Sequence, residues 1–336
     1  MTIRVFLAAS VAFGLGLGQL PARAQEQVLK YGTSSAAMVA APLLLSTQDK
    51  TIFGKNGLRV EMTDFRGQTA NCVVAVISGA VNLCQVGTLS GTDAIADGAP
   101  LVAIAATNAM TAELIISQHA AKRLGLSQNA TVEEKLKALK GLRVISSAPG
   151  TGHYLVLNEM LKTVGLSIAD TQYRVLGDTN AMMASLQNDA VDAVLWSIGG
   201  LGPSIADGSG IRWISPRTDM QTLADLPYYV VYARKDWVEK NLQTVADIRA
   251  SLETAVAKLL ADPDGSGKAI KQAYFPDMDQ AVWDDGFAEN IKTFIPGVRV
   301  SRKGWDKYIG LYAPTANKSY SGVTYEAVVM PDARSE

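Results

Sequence analysis

The chain has 336 residues, of which 48% are hydrophobic and 19% are charged, a composition that fits a folded protein of about two domains. Its 31 basic and 32 acidic side chains give a net charge of -1 without a basic stripe, which argues against a general nucleic-acid binder. The two cysteines, Cys72 and Cys84, and the two histidines are too few for a disulfide framework or a Cys/His zinc cluster.

The first 24 residues have the pattern of an export signal. Arg4 supplies the positive start, residues 5–18 are apolar, and Ala22 and Ala24 form a small-x-small cleavage site. The apolar run is shorter than the ~20 residues that a membrane-spanning helix needs. We therefore expect a signal peptide that is cleaved after Ala24, followed by a soluble exported protein.

Beyond this signal, short apolar runs alternate with amphipathic segments. The runs predict strands at 28–33, 58–63, 81–86, 101–105, 142–146, 171–175 and 191–196. The segments predict helices at 36–47, 69–78, 151–164 and 179–188. Capping pairs predict two more helix starts, at Thr131 with Glu134 and at Thr244 with Asp247. The alternation predicts an α/β fold whose mostly parallel sheets are flanked by helices.

A weak internal repeat relates two of the strand–helix–strand units. Residues 67–69 match residues 177–179, and residues 80–82 match residues 190–192 at the same offset. Chance is the alternative, because the match is short and small residues are common, but the surrounding pattern agrees as well. Two similar α/β lobes would place a ligand in the cleft between them, beyond the carboxyl ends of the strands.

A series of short motifs spans most of the chain. They are APLLL (41–45), IFGKNGLRV (52–60), DGAPLV (97–102), GLRV (141–144), GTGHY (150–154), VDA (191–193) and, more weakly, SRKGWDKY (301–308). In this order they resemble the nitrate, sulfonate, taurine and thiamine-precursor (NMT1-like) group of periplasmic substrate-binding proteins of ABC importers.

The resemblance implies a type II periplasmic-binding-protein fold, with two lobes that close over a small solute like a hinged clamp. Lobe 1 would hold residues 25–112 and 230–336, including C-terminal helices, and lobe 2 residues 118–225. The crossovers between them would be 113–117 and 228–233. The protein would act as a monomer in the periplasm and pass its solute to an ABC permease and its ATPase, with no nucleic acid, metal or cofactor.

Candidate ligand-binding residues follow predicted strands or open predicted helices, where free backbone amides favour an anion or a polar oxygen. The best local signal is at 146–153, where a strand ends in two hydroxyls and a glycine turn opens a helix. His153 in the first turn faces either the cleft or solvent, Asp178 is also suited to be a helix N-cap, and Trp196 could belong to the core. The full set is Ser34, Ser35, Gln68, Thr88, Ser147, Thr151, Gly152, His153, Asp178, Trp196, Ser197 and Tyr232.

These residue types favour an anionic or neutral polar solute over a cation: a sulfonate, a nitrate-like anion, a carboxylate or a pyrimidine-type ring compound. Cys72 and Cys84 are either two buried thiols or a disulfide. A periplasmic ligand-sensing subunit and a thiamine-precursor synthase-like enzyme are the alternative functions. We expect no enzyme, because the sequence has no Cys cluster, no metal-spaced His pair and no Gly-x-Ser-x-Gly elbow.

Overall fold

The computed structural model describes residues 26–336, so the predicted signal peptide lies outside the described residues. All seven strands predicted from apolar runs form, with ends that shift by three residues or fewer, and the structure adds three strands that the sequence did not predict, at Gly210–Ile214, Val300–Ser301 and Arg334–Ser335. The strands are β1 (Gln27–Thr33), β2 (Leu58–Asp64), β3 (Leu83–Gly87), β4 (Leu101–Asn108), β5 (Ala112–Ser117), β6 (Arg143–Ser146), β7 (Gln172–Val175), β8 (Ala193–Ser197), β9 (Gly210–Ile214), β10 (Tyr229–Arg234), β11 (Val300–Ser301) and β12 (Arg334–Ser335).

Helices cover both faces of the sheets and make up most of the C-terminal third. The α-helices are α1 (Ala41–Gln48), α2 (Thr51–Gly54), α3 (Thr69–Ser78), α4 (Thr88–Ala96), α5 (Gln118–Leu124), α6 (Val132–Lys137), α7 (Gly152–Lys162), α8 (Thr179–Gln187), α9 (Gly202–Ala206), α10 (Pro216–Asp219), α11 (Gln221–Ala224), α12 (Lys235–Lys240), α13 (Leu242–Ala261), α14 (Pro263–Tyr274), α15 (Gln280–Ile291), α16 (Arg302–Tyr312) and α17 (Tyr325–Val328). Single 3₁₀ turns occur at Met38–Ala40, Ile168–Asp170, Pro296–Val298, Ala313–Thr315 and Pro331–Ala333.

Two predicted helix starts have different outcomes. The Thr131 capping box forms, because the Glu134 N–H donates to Thr131 Oγ1 at 3.2 Å and the Thr131 N–H donates to the Glu134 carboxylate at 2.8 Å. The start predicted at Thr244 with Asp247 is wrong. Helix α13 already begins at Leu242, so Thr244 lies inside its first turn and its hydroxyl donates to Gln27 Oε1 at 3.3 Å.

The first sheet has the strand order β2-β1-β3-β10-β4. Strands β1, β2 and β3 are parallel, whereas β10 runs antiparallel to both β3 and β4. The second sheet has the order β7-β6-β8-β5-β9, and its fourth strand, β5, is likewise antiparallel to both neighbours. The two sheets therefore share one topology, in which β2–α3–β3 and β7–α8–β8, the units of the sequence repeat, occupy equivalent places.

The chain changes sheets twice. Strand β4 lies at the edge of the first sheet and the next strand, β5, lies in the second; strand β9 lies in the second sheet and β10 returns to the first. The two segments that we expected to be crossovers, 113–117 and 228–233, are hydrogen-bonded into a sheet over almost their whole length. The connections between the sheets are therefore residues 109–111, between β4 and β5, and residues 215–228, which contain α10 and α11 and end at Tyr228.

A disulfide joins α3 to β3 inside the first sheet's core. Cys72 and Cys84 are bonded, fully buried and separated by 12 positions in the sequence. Of the two states that the sequence left open, the structure has the disulfide, which fits an oxidising compartment. Within residues 26–336, no helix combines the length and apolar character that crossing a membrane requires.

Candidate solute-binding site

Six of the twelve predicted residues come together at the carboxyl ends of β6 and β8. Both strands are parallel neighbours in the second sheet, so their carboxyl ends meet at one edge, where α7 begins. The six residues are Ser147, Thr151, Gly152, His153, Trp196 and Ser197.

The N-terminus of α7 has free backbone donors. Thr151 is the N-cap residue, but its side chain does not cap the helix. The Thr151 hydroxyl instead donates to the Ala148 carbonyl at 2.7 Å and shares a hydrogen bond with the Ser147 hydroxyl. Within the part of the chain that the structure describes, nothing accepts a hydrogen bond from the N–H of Gly152 or His153. Such a helix start, with the helix dipole behind it, favours an anion or a polar oxygen.

His153 forms an aromatic wall beside this helix start. Its ring stacks on Trp196, with centroids 4.8 Å apart and planes 15° apart, and its Nε2 lies 3.1 Å from the Ser197 hydroxyl. Burial lowers the pKa of His153 to about 4. The ring is therefore neutral at pH 7, and one of its two nitrogens donates a hydrogen bond while the other accepts.

Tyr228 closes the site from the segment that connects the two sheets. Its ring meets the edge of the His153 ring at 5.6 Å, and its hydroxyl lies 3.2 Å from the position that a Cβ at Gly152 would take. The next residue, Tyr229, points the other way and shares a hydrogen bond with Ser34. Because successive side chains in an extended strand alternate, this tyrosine pair contacts the candidate residues of both sheets.

Three other predicted residues lie together at the carboxyl edge of the first sheet. Ser34 is buried, and its carbonyl accepts the Gly67 N–H at 2.6 Å, which brings the turn before Gln68 next to it. Ser35 is half-buried, and Gln68 is exposed and accepts a hydrogen bond from Asn71. Ser34 and Ser35 do not open a helix as predicted. Residues 34–37 form neither strand nor helix, and helical structure begins only at 38.

The last three predicted residues lie outside both groups. Thr88 is fully buried, and its hydroxyl and N–H bond to the carbonyls of Pro227 and Tyr228, so the chain itself occupies this helix start. Tyr232 is 1% exposed and donates to the Thr88 carbonyl, and its ring packs against α4 where a glycine leaves room. Asp178 is an exposed N-cap of α8 that accepts the Ala181 N–H at 2.7 Å.

Two further features bear on what the molecule could bind. Among residues 26–336, no group of three or more His, Cys, Asp or Glu side chains is arranged to hold a metal ion. A groove of about 1000 Å³ lies between α14 and α15, with Trp283 and Phe287 on its floor and Lys268 and Lys271 among its lining residues. None of the twelve predicted residues lines that groove, so it is separate from the site at α7.

Comparison with known proteins gives the family. A model of the NMT1/THI5-like family matches residues 40–266, about two thirds of the chain. The chain belongs to this family. The resemblance inferred from the sequence motifs is therefore confirmed. A comparison with curated proteins finds no match.

Solved structures share the fold at low sequence identity. The alkanesulfonate-binding protein SsuA of Xanthomonas axonopodis pv. citri, bound to MOPS, has a TM-score of 0.61 and 20% identity, over 81% of this chain and 86% of its own. The periplasmic nitrate-binding protein NrtA of Synechocystis PCC 6803 has a TM-score of 0.55 and 17% identity, over 78% and 68%. A Candida albicans protein described as having the generic periplasmic binding protein fold has a TM-score of 0.63 and 15% identity, over 92% and 97%. The predicted periplasmic-binding-protein fold is confirmed.

Proposed function

We propose that this chain is the periplasmic solute-binding component of an ABC importer. It captures a small anionic or neutral polar solute and delivers it to a membrane permease with its ATPase, and it makes or breaks no bond. The family, the fold, and neighbours named for binding alkanesulfonate and nitrate support this role. An export signal at 1–24 and a periplasmic location belong to the same proposal.

The observation that carries the proposal is the uncapped start of α7 beside an aromatic wall. Free N–H groups at Gly152 and His153 face a region bounded by the His153–Trp196 stack and by Tyr228. These donors are neutral, so the site binds oxygen atoms through hydrogen bonds and the helix dipole and not through an ion pair. The hydroxyls of Ser147, Thr151 and Ser197 lie at the same edge.

The hydrogen-bond donors and the aromatic surface of the site favour particular classes of solute. The helix start suits the oxygens of a sulfonate, a carboxylate or a nitrate-like anion, and the flat face of the Trp196 stack suits an aromatic or pyrimidine-type ring. Lobe 1 (25–112 and 230–336) would close against lobe 2 (118–225), with the segment at Tyr228 as part of the hinge. Closure uses the binding free energy to favour one conformation, which a permease then recognises.

A thermal-unfolding panel tests the proposed function. The probes are benzenesulfonate, MOPS, benzoate, nitrate, a pyrimidine and a cationic amine, each added to the purified chain. A solute present at 1,000 times its Kd adds about 4 kcal/mol to the free energy of unfolding, which corresponds to a midpoint increase of roughly 6 °C for a chain of this length. We expect an increase with at least one oxyanion or ring compound; an increase with the amine alone would contradict the proposed chemistry.

Two tryptophan variants show where on the molecule the solute binds. Trp196→Ala removes half of the aromatic wall, whereas Trp237→Ala removes a half-buried tryptophan on α12, away from the site. We expect the first variant to lose at least tenfold in affinity for the probe that shifts the wild-type midpoint, and the second to keep the wild-type affinity. Equal affinities in the two variants would show that the solute binds elsewhere.

A further inference from the structure

We propose that Tyr308, on the C-terminal helix α16, is a solute-contacting residue whose hydroxyl donates a hydrogen bond to the solute oxygen at the start of α7. This inference rests on the proposed function and deepens it. It adds a residue that lies beyond the part of the chain matched by the family model, residues 40–266. The site would thus be built from four distant stretches: the start of α7, the end of β8, the segment before β10, and α16.

Helix α16 is held against the segment that connects the two sheets. Gly304 packs so tightly on the Asp225 carbonyl that a Cβ there would overlap it, and the same Cβ would lie 3.0 Å from the Pro227 ring. Residues four apart on a helix share one face, so Tyr308 follows Gly304 toward the same neighbours. Its ring stacks on Tyr228, with centroids 6.4 Å apart and planes 14° apart.

The Tyr308 hydroxyl points at the uncapped start of α7. It lies 2.7 Å from the position that a Cβ at Gly152 would take, on the same side as the Tyr228 hydroxyl at 3.2 Å. Tyr308 is 1% exposed and Tyr228 is 7% exposed, yet among residues 26–336 neither hydroxyl has a hydrogen-bond partner. Neither oxygen is among the fully buried polar atoms that lack a partner, so both hydroxyls border open space beside the free donors of α7, where a polar ligand can bind.

A second tyrosine fixes the end of α16. The Tyr312 hydroxyl donates to the Asp93 carboxylate on α4 at 3.2 Å, and Tyr320 donates to the same carboxylate. The Tyr312 hydroxyl also lies 3.4 Å from where a Cβ at Gly150 would be. Tyr312 is thus a positioning residue whose hydroxyl is already used, whereas the Tyr308 hydroxyl is free for a solute.

The hydroxyls of Tyr308 and Tyr228 are protonated and can donate hydrogen bonds to an anion. Burial raises the pKa of Tyr308 and that of Tyr228 well above the ordinary value of a phenol, so both hydroxyls keep their protons at neutral pH. Two neutral O–H donors beside free backbone N–H groups bind an oxyanion through charge-assisted hydrogen bonds.

Conservative variants test this role. Tyr308→Phe keeps the ring and its packing and removes only the hydroxyl; Tyr325→Phe is the matched control, a tyrosine with 1% exposure whose hydroxyl donates to the Val300 carbonyl at 2.7 Å. The probe is benzenesulfonate, titrated by calorimetry into the full chain without its signal, with MOPS and nitrate as further oxyanions. We expect Tyr308→Phe to bind at least tenfold more weakly, because hydrogen bonds to charged groups contribute about that factor or more.

Two glycine variants test the space next to the Tyr308 hydroxyl. Gly152→Ala places a methyl group against Tyr308, whereas Gly177→Ala adds a methyl group where nothing lies within 4 Å. We expect at least tenfold weaker binding in the first and wild-type binding in the second. Unfolding midpoints of all four variants, measured without solute, show whether each one is folded.

The possible outcomes separate the two proposals. If the wild-type chain binds an oxyanion and Tyr308→Phe binds it equally well, the role of Tyr308 is wrong and the proposed function stands. If the wild-type chain binds none of the three oxyanions, the proposed function for anions fails and the role of Tyr308 fails with it. Should Tyr308→Phe fail to fold, Gly152→Ala with wild-type affinity would overturn the role of Tyr308.

Discussion

The neutral histidine at the start of α7 makes the free energy of unfolding depend on pH. Burial lowers the pKa of His153 to about 4, whereas the unfolded chain has the ordinary value of about 6.5. Between these two values the unfolded chain binds a proton that the folded chain does not. Stability is therefore unaffected by His153 above about pH 6.5 and decreases as the pH falls from there to about 4.

The interval between the two pKa values of His153 determines how much the free energy of unfolding falls on acidification. One pKa unit corresponds to 1.36 kcal/mol, so the full interval would lower the free energy of unfolding by about 3 kcal/mol. Because the ring is only partly buried, solvent reduces this effect, and we expect on the order of 1–2 kcal/mol between pH 7 and pH 4.5.

Urea unfolding of paired variants at pH 7, 5.5 and 4.5 measures this contribution. His153→Gln removes the titrating ring, so its stability should fall less between pH 7 and pH 4.5 than that of the wild type. His119→Gln removes an exposed histidine on α5 and should keep the wild-type pH dependence, because His153 is still present. If His153→Gln and the wild type lose the same stability on acidification, the reasoning about the buried ring is refuted.

Two further predictions concern stability. Cys72→Ala with Cys84→Ala opens a disulfide loop with a sequence separation of 12 and should lower the free energy of unfolding by about 3 kcal/mol; two reactive thiols in the unreduced, denatured wild type would contradict the bond. Arg212→Met removes the partner, at 2.8 Å, of the buried Glu113 carboxylate and should cost about 3–5 kcal/mol in urea unfolding. Asp285 makes a second ion pair with Arg212 from an exposed position, so Asp285→Asn should cost less than about 1 kcal/mol, and equal costs for the two variants would refute the argument from burial.

Most of the sheet framework could be predicted from local patterns. Buried parallel strands are continuous apolar runs, which is why β1, β3 and β8 were found with small errors at their ends. Strand β9 was missed because Arg212 interrupts its short apolar pattern, and only the tertiary pairing with Glu113 explains a charge at that position. Local sequence cannot show such a partner 99 positions away.

The grouping of candidate residues at α7 could be predicted in part, although their role in binding stays a prediction. The sequence places residues 147–153 and 196–197 at the ends of strands, because hydroxyls and glycine there have a local signature. Alternation over the predicted extended segment 228–233 would place Tyr228 and Tyr232 on one face, but only the packing of α4 decides that Tyr232 is covered and Tyr228 reaches His153. The aromatic spacing of Trp305, Tyr308 and Tyr312 predicts a helix face, but not that this face meets α7.

Residue-resolved hydrogen exchange with and without benzenesulfonate tests directly whether a solute binds at the start of α7. We expect the solute to slow exchange of the backbone N–H groups of Gly152 and His153, because these donors gain a partner there. Slowed exchange confined to α14 and α15, around the groove that contains Trp283, would instead place the solute there and contradict binding at the start of α7.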